Sequence, residues 1–383
     1  MKTFSRSTIH PDDVIDMHVH VGGPAGENDE MYFWSKEFTK SAAYDAMKLV
    51  TKLSSDRVNG PRYIGVLLQL LKQSKYIDKL VMLGLDQVYT EKGKKEPDRT
   101  NLYVSNDYLY HLSQIYPSFL FGCSVHPYAP DAIDRVWQCA ARGAVLCKWL
   151  PSSQCFDPTH PLARRFYEAL ALVNLPLLLH VGPEGTIPSA LDHKSRLLYD
   201  AAAGEYGQKP GDAVAMALEA GVKVIIAHSA TPLGPLFDKD TKYWEKVFDQ
   251  LLERMDEAIE NPLLYADISA FCLPGRFKYV KRIIKYAEKK PHRFLYGSDY
   301  PIPSIGFHQG DVLKDLLDAF DWLANRVLPG NDLDKNYELL RPHFSDKTFR
   351  AAARVLRNPQ MPVIDKERFI KIAGKKKKRF FIF

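Results

Sequence analysis

Two histidines separated by one residue are the most chemically suggestive feature of the sequence. His18 and His20 lie in Asp16-Met17-His18-Val19-His20, which follows an apolar pair and precedes Val21-Gly22-Gly23. This pattern is typical of a buried strand that runs into a glycine loop. Because residues i and i+2 of a strand face the same way, both imidazoles should lie on one side, close enough to bind one metal ion.

Three further polar residues stand where an apolar run gives way to loop residues. His180 follows 177–179, His228 follows 224–227, and Asp299 follows 294–298. Any one of these histidines could be a core imidazole with its hydrogen bonds satisfied, but their repeated placement favours a shared site. Histidines and a carboxylate suit Zn²⁺ and tolerate Mn²⁺ or Fe²⁺. We therefore expect one divalent metal ion as cofactor, with Zn²⁺ as the first choice.

The apolar runs alternate with longer amphipathic stretches, which is typical of repeated strand–helix units with a parallel sheet. Strands are predicted at 14–18, 80–85, 119–125, 144–149, 177–180, 222–227, 263–268 and 294–297. Helices are predicted at 42–53, 103–115, 132–142, 162–173, 212–220, 242–259, 278–289 and 311–324. This count indicates a (β/α)8 TIM barrel, in which the strand ends converge on one mouth.

The predicted domain organisation is simple. Residues 1–360 are predicted to form a single metal-dependent (β/α)8 barrel domain, and residues 361–383 a C-terminal extension with a basic tail. The segment at about 22–80 is too long for one strand–helix crossover, so we expect an inserted helical lid over the mouth. A second insertion is expected from His180 to about residue 211.

The charge distribution argues against a nucleic-acid partner. The net charge is +6, but Lys371 and residues 375–379 supply six positive charges after the last acid, Glu367. The rest of the chain is therefore close to neutral, unlike a general nucleic-acid surface. The basic end is expected to pack on the barrel or on a neighbouring subunit, with an anionic membrane surface as the alternative.

The cysteines and the apolar runs suggest where the protein is found. Five cysteines form no C-x-x-C pair, and an odd count in a long chain indicates reduced thiols and a cytoplasmic location. The N-terminal residues lack the apolar run of a secretory signal. No run of 18 apolar residues occurs, so no membrane span is predicted. The expected partner is a small-molecule substrate, and a homo-oligomer such as a homodimer is left open.

Taken together, the strand-end motifs resemble the amidohydrolase superfamily, in particular the amidohydrolase-related branch that includes metal-dependent decarboxylases. The resemblance rests on Asp16-Met17-His18-Val19-His20, on 175–180, on 221–228 and on 295–301. It implies that His18, His20 and His180 bind the metal, with Asp299 as a further ligand. It also implies that His228 lies near the substrate, where it polarises the substrate or shuttles a proton.

The chemistry of the residues leads to similar roles. A divalent metal lowers the pKa of water toward about 7. Asp299, at a predicted strand end, can accept the proton released on attack and pass it to the leaving group as general acid/base. We therefore expect a metal-dependent hydrolase of a C–N or C–O acyl bond in a small molecule. The alternatives are a nonoxidative metal-dependent decarboxylase on the same scaffold and a metal-bound protein without catalysis.

Three residues are weaker candidates for contact with substrate. Lys148 ends the fourth predicted strand, where superfamily members with two metals carry a bridging carboxylated lysine. Its alternative is an ammonium that contacts a substrate carboxylate or pairs with an acid, and we expect no carboxylation. His126 ends the third strand, where a substrate contact and a structural role are both open. Arg276 is a weaker candidate, as a residue of a lid.

Overall fold

A computed structural model describes residues 7–53, 58–204, 211–235, 238–257, 263–273, 275–306, 314, 317 and 330–373. In these ranges the chain forms short strands connected by helices and loops. The strands are β1 (Ile15–His20), β2 (Tyr32–Trp34), β3 (Lys79–Leu83), β4 (Leu102–Val104), β5 (Phe119–Cys123), β6 (Leu146–Trp149), β7 (Leu177–Leu179), β8 (Ala203–Gly204), β9 (Gly211–Asp212), β10 (Val224–Ile226), β11 (Leu264–Asp267) and β12 (Phe294–Leu295).

The main sheet is the predicted (β/α)8 TIM barrel. Its eight strands follow the order β1-β3-β5-β6-β7-β10-β11-β12, and every assigned pair is parallel. Backbone hydrogen bonds bring the last strand back to the first. Met17 N donates to Tyr296 O at 3.2 Å, Asp299 N donates to His18 O at 2.9 Å, and His20 N donates to Tyr300 O at 2.8 Å. We call this junction the β12–β1 seam.

Helices surround the barrel largely as the sequence predicts. The predicted helix at 311–324 lies almost entirely outside the described residues. The helices are α1 (Lys36–Thr39), α2 (Ala42–Thr51), α3 (Gly60–Gln73), α4 (Asn106–Ile115), α5 (Ala132–Ala141), α6 (Pro161–Leu172), α7 (His193–Asp200), α8 (Ala213–Glu219), α9 (Thr241–Glu257), α10 (Phe277–Lys289), α11 (Asp332–Leu340), α12 (Asp346–Phe349), α13 (Ala352–Val355) and α14 (Lys366–Ala373).

Apolar residues on both faces of the strands explain why the barrel forms. One set, which includes Leu83, Leu120 and Leu178, packs inside the barrel, and Ala352 of α13 packs against this inner set. A larger set packs between the strands and the surrounding helices. Strands buried on both faces are typical of parallel sheets, and burial of this apolar surface is the main favourable term in folding.

Strand β1 departs from simple alternation just before the candidate ligands. Its pairing with β3 shifts register between Asp16 and Val19. Met17 therefore belongs to the inner apolar set, whereas Val19 belongs to the outer set. An extra residue of this kind re-aims the side chains that follow it.

The segment between β1 and β3 contains β2 and the helices α1, α2 and α3. Ser41 caps α2 by accepting a hydrogen bond from Tyr44 N, and Asn59 caps α3 in the same way. Strand β2 pairs with β4, outside the barrel. The rings of Trp34, Phe38, Tyr44 and Tyr63 contact one another. This segment therefore places an aromatic cluster near the ends of the barrel strands.

The segment from His180 to about residue 211 and residues 361–383 are also predicted to be additions to the barrel. Helix α7 and the short pair of β8 with β9 lie between β7 and α8. Helix α14 packs on α5 and α6, with Phe369 fully buried. The basic residues 375–379 lie outside the described residues. All five cysteines are buried free thiols. Within the described ranges, every helix is too short or too polar to cross a membrane.

Candidate metal centre and its pocket

The five strand-end residues singled out in the sequence line one pocket. His18, His20, His180, His228 and Asp299 all contribute to its wall. They come from β1 and from the ends of β7, β10 and β12, so the carboxyl ends of these strands converge as a barrel requires. The expectation that residues far apart in the chain meet at one mouth is therefore met.

Asp299 is the residue on which the polar side chains converge. Its Oδ1 atom lies 3.4 Å from Nε2 of His18 and 3.2 Å from Nε2 of His20. Its Oδ2 atom lies 3.9 Å from Nε2 of His228. Burial would raise the pKa of this carboxyl, but the neighbouring His18, His20 and Lys148 more than offset burial and lower the pKa below its ordinary value.

His18, His20 and Asp299 fit a divalent metal ion. One ligand atom from each lies within 4.8 Å of the other two. The pKa of His18 is well below its usual value, first because of burial and then because of Lys148, so its imidazole is neutral at pH 7. Neutral imidazole nitrogens and a carboxylate oxygen are a donor set for Zn²⁺, Mn²⁺ or Fe²⁺.

Asp267, at the end of β11, orients His18. Its Oδ2 atom lies 2.8 Å from Nδ1 of His18, and both side chains are fully buried. Since an ionised carboxylate only accepts hydrogen bonds, the proton of His18 is on Nδ1 and the lone pair of Nε2 faces Asp299. A carboxylate behind a ligating histidine is a common arrangement in metal sites.

Asp267 also holds the backbone and ring of His228. Its Oδ1 atom accepts hydrogen bonds from His228 N at 2.6 Å and from the hydroxyl of Ser269 at 2.5 Å. Oγ of Ser269 lies 2.8 Å from Nδ1 of His228. Because the serine proton points to Asp267, Nδ1 of His228 carries a hydrogen and its Nε2 is left as an acceptor in the pocket.

His18, His228 and Asp267 form a second group of potential ligand atoms. Their facing atoms are already joined by the hydrogen bonds of Asp267 and Ser269. This group is therefore better described as a hydrogen-bond network behind the pocket than as a second metal site.

The turn that carries His228 has an unusual backbone. His228, Ser229 and Ala230 have φ angles of 54°, 49° and 50°. Consecutive non-glycine residues in this left-handed region are strained, at a cost of about 1–3 kcal/mol each. The hydroxyl of Ser229 donates to the main-chain oxygen of Asp267 at 2.6 Å, which helps to hold the turn. Such strain clusters at functional sites.

His180 lines the pocket but stands apart from the three-atom cluster. Its Nε2 atom lies 3.2 Å from Gly182 O and 3.8 Å from Oε2 of Glu184. Glu184 Oε1 accepts hydrogen bonds from the main-chain nitrogens of Thr186 and Ile187. The role of His180 as a metal ligand stays a prediction.

Lys148 lies directly beside the candidate ligands. Its Nζ atom is 3.3 Å from Nε2 of His18, and the side chain is buried. Burial lowers the pKa of the ammonium, and the nearby Asp267, Asp299 and Glu184 oppose that shift. Lys148 therefore lies in the pocket wall, beside the proposed metal ligands.

Arg276 and His126, the remaining candidates, are placed differently. Arg276 lines the pocket, and its Nη1 donates to Thr231. His126 is absent from the pocket wall. Both of its ring nitrogens contact main-chain atoms: Nε2 lies 2.9 Å from Gln154 O, and Nδ1 accepts from Tyr128 N. That arrangement fits the structural alternative for His126.

Two residues of the site are not predicted from the sequence. Asp267 and Ser269 fall at the end of the predicted strand at 263–268, where polar residues stand out against an apolar run. Asp16 belongs to the motif of the two histidines, but the sequence does not indicate its contacts. Its Oδ1 atom accepts hydrogen bonds from His18 N and Ser298 N, so it ties the two sides of the β12–β1 seam together.

The remaining wall of the pocket is mainly apolar. Trp34, Phe38, Met47 and Tyr63 come from the segment between β1 and β3. The space enclosed with the polar residues is about 840 Å³, part of it open to solvent. The pocket therefore has the size of a small-molecule site, with polar groups on one side and an aromatic wall on the other.

Several solved structures are similar to this chain. The 5-carboxyvanillate decarboxylase of Sphingomonas paucimobilis is 13% identical, with 90% of this chain and 99% of that chain covered and a TM-score of 0.49. A dihydroxybenzoic acid decarboxylase of Polaromonas, determined with manganese and 2-nitroresorcinol, is 13% identical over 89% and 97% of the chains, with a TM-score of 0.45. Dihydroorotase of Saccharomyces cerevisiae is 15% identical over 90% and 85%, with a TM-score of 0.38.

Comparison with protein families gives a definite assignment. No curated protein sequence matches the chain. The sequence profile described as amidohydrolase, however, matches residues 15–334. The match runs from β1 into α11 and includes each residue of the candidate metal centre. This chain is an enzyme that belongs to the amidohydrolase family.

Proposed function

We propose that this enzyme is a metal-dependent hydrolase that cleaves a C–N or C–O acyl bond in a small molecule. The observation that carries the proposal is the position of Asp299. One of its oxygens lies beside Nε2 of His18 and His20, and the other faces Nε2 of His228. A single carboxylate therefore reaches from the metal donors toward the rest of the pocket.

The proposed cofactor is one divalent metal ion, with Zn²⁺ as the first choice and Mn²⁺ or Fe²⁺ as alternatives. His18, His20 and Asp299 would hold it, and His180 is the fourth ligand that the family resemblance implies. When bound, the metal lowers the pKa of water and polarises an acyl carbonyl.

Two residues next to the proposed metal site carry out the proton transfers. Asp299, whose pKa is held below its ordinary value, accepts the proton lost by the attacking water. Nε2 of His228 is an acceptor across from Asp299 and can relay this proton to the leaving nitrogen or oxygen. The aromatic wall of Trp34 and Phe38 excludes bulk water from the reacting groups.

A nonoxidative decarboxylase is the second candidate, and the position of Lys148 favours it. The ammonium lies 3.3 Å from Nε2 of His18, where it would attract a substrate carboxylate to the metal donors. The unprotonated Nε2 of His228 supports hydrolysis instead, because there His228 first accepts a proton and then donates it to the leaving group. As the proton donor to carbon in decarboxylation, His228 would have to start protonated. Burial holds the pKa of His228 well below its usual value.

The two reactions are separated by a screen in ¹⁸O-labelled water. The metal-loaded enzyme would be incubated with small amides, lactones, esters and aromatic carboxylic acids. Hydrolysis is expected to place ¹⁸O in an acid product. Release of CO₂ with solvent hydrogen on carbon and no ¹⁸O in the organic product would replace the first proposal by the second.

A further inference from the structure

Arg276 is a buried cation with unused hydrogen-bonding capacity at the pocket wall. Its side chain is 5% exposed. Nη1 donates to the main-chain oxygen and to the hydroxyl oxygen of Thr231, each at 2.8 Å. Nε is buried and makes no hydrogen bond to the described part of the chain. Thr231 is itself fully buried, and its hydroxyl donates to His228 O. The residue that holds the guanidinium is therefore held in place itself.

The unused donors of Arg276 lie along one edge. In a planar guanidinium, Nε–H and one hydrogen of Nη2 point the same way and match the two oxygens of a carboxylate. Thr231 binds the other terminal nitrogen, Nη1, and thereby fixes the plane. Arg276 thus has the form of a preorganised bidentate receptor.

The described carboxylates of the pocket do not bind Nε and Nη2 of Arg276. Among the described residues, no carboxylate forms an ion pair with Arg276 within 4.0 Å. Glu184 is bonded to the main chain of its own loop, and Asp299 faces His18 and His20. An unpaired guanidinium at this depth is unfavourable, and an incoming anion would compensate for it.

We propose that Arg276 binds a carboxylate of the substrate, so that the substrate is a small monocarboxylic acid with an apolar body. The apolar body would lie against Trp34, Phe38 and Met47, which line the same pocket. This inference rests on the proposed hydrolase function at one point only, the position of the reacting bond. That bond would lie between the bound carboxylate and Asp299.

A carboxylate fits better than the other polar groups. A neutral ligand would leave the cation unpaired, and a phosphate dianion needs more donors than one guanidinium edge supplies. Lys148 also lines the pocket, but its ammonium lies 3.3 Å from Nε2 of His18. A carboxylate bound by Lys148 would lie at the proposed metal ligands, as in the decarboxylase alternative, whereas Arg276 is held by Thr231. The single free edge therefore points to a planar monoanion.

Calorimetric titration of the zinc-loaded enzyme with benzoate tests the subsite. Benzyl alcohol is the neutral probe of similar size. Arg276→Met is expected to raise the Kd for benzoate at least about 10-fold. The matched control is Arg282→Met, on helix α10, where the guanidinium is half exposed and pairs with Asp249. This control should bind benzoate like the parent enzyme. If Arg276→Met does not fold, Arg276→Lys provides the test, because a point charge cannot replace the planar edge.

A His18→Ala, His20→Ala variant separates this subsite from the metal centre. Benzoate should still bind to it, because Arg276 is intact. Loss of benzoate binding there, with binding retained in Arg276→Met, would show that the carboxylate binds the metal and would overturn the proposal. Equal binding of benzyl alcohol, or tighter Arg276-dependent binding of inorganic phosphate, would overturn it as well. Neither probe contains an acyl bond to hydrolyse, so failure to detect hydrolysis leaves this result unaffected.

Discussion

Nδ1 of His18 and Oδ2 of Asp267 lie 2.8 Å apart in a fully buried contact. Replacement of Asp267 by Asn offers Nδ1 an amide that can donate, which favours the wrong tautomer of His18. We expect Asp267→Asn to weaken metal affinity about 10–100-fold, as competition with a chromophoric chelator would measure. Asp249→Asn, at a half-exposed acid on α9, is the control. Unchanged affinity in Asp267→Asn would show that His18 needs no such partner.

The metal content itself is the most direct test of the site. The His18→Ala, His20→Ala variant is expected to lose the metal while keeping a folded barrel, because apolar packing and not the ion forms the core. Elemental analysis of protein purified without added metal gives the count, and circular dichroism reports the fold. A parent enzyme that is active without metal would contradict the proposal.

Removal of the proposed general base should affect turnover more than metal binding. Asp299→Asn is expected to retain part of the metal and to lose at least about 100-fold in kcat. His228→Asn should lose less if the reaction is hydrolysis. A sharper loss in His228→Asn than in Asp299→Asn would favour decarboxylation, and both variants are compared at equal metal content.

We expect Lys148 to remain an uncarboxylated amine, with one metal per chain. Its Nζ atom lies 3.3 Å from Nε2 of His18, so it already occupies space next to the donors. Metal loading with and without bicarbonate should give the same count. Two metals per chain, with at most one in Lys148→Ala, would prove this prediction wrong.

Asp332 provides a test of pH dependence away from the candidate site. Burial raises its pKa to about 6, and Oδ1 makes no hydrogen bond to any described residue. Because the folded pKa exceeds the unfolded value, the stability that this group contributes is full below about pH 4 and is lost as the pH rises through 6. Asp332→Asn should therefore raise the free energy of unfolding at pH 7 by about 1–3 kcal/mol, with little change at pH 4.

Asp334 is the matched control on the same helix, because its carboxylate oxygens have hydrogen-bond partners. It accepts hydrogen bonds from Ser74 Oγ and Lys75 N. Asp334→Asn should lower stability at pH 7, as urea unfolding would measure. Stabilisation by Asp334→Asn, or destabilisation by Asp332→Asn, would show that burial is not the dominant cause at Asp332.

Much of the fold could be predicted because parallel barrel strands are apolar on both faces. The run 177–179 is an example: it is wholly apolar, it forms β7, and it leads directly to His180. The proximity of His18 and His20 could be predicted as well, because residues two apart in a strand face the same way. Both lie in β1, and their ring centroids are 5.2 Å apart.

Other features depend on tertiary contacts that the sequence does not display. Asp267 looks like an ordinary strand residue until the fold places it against His18 and His228. The left-handed turn at His228–Ala230 contains no glycine, the residue that would have indicated positive φ angles in the sequence. The orientation of His180 toward Gly182 O likewise follows from its loop and not from its position at a strand end.

The β12–β1 seam has a consequence for synthesis. His18 and His20 leave the ribosome early, whereas Asp299 emerges only after the other seven barrel strands. A nascent chain interrupted before that point carries the two histidines without their carboxylate. If His18, His20 and Asp299 bind the metal as proposed, the complete ligand set forms only when the last barrel strand pairs with the first. Metal binding would then stabilise only chains in which the barrel has closed.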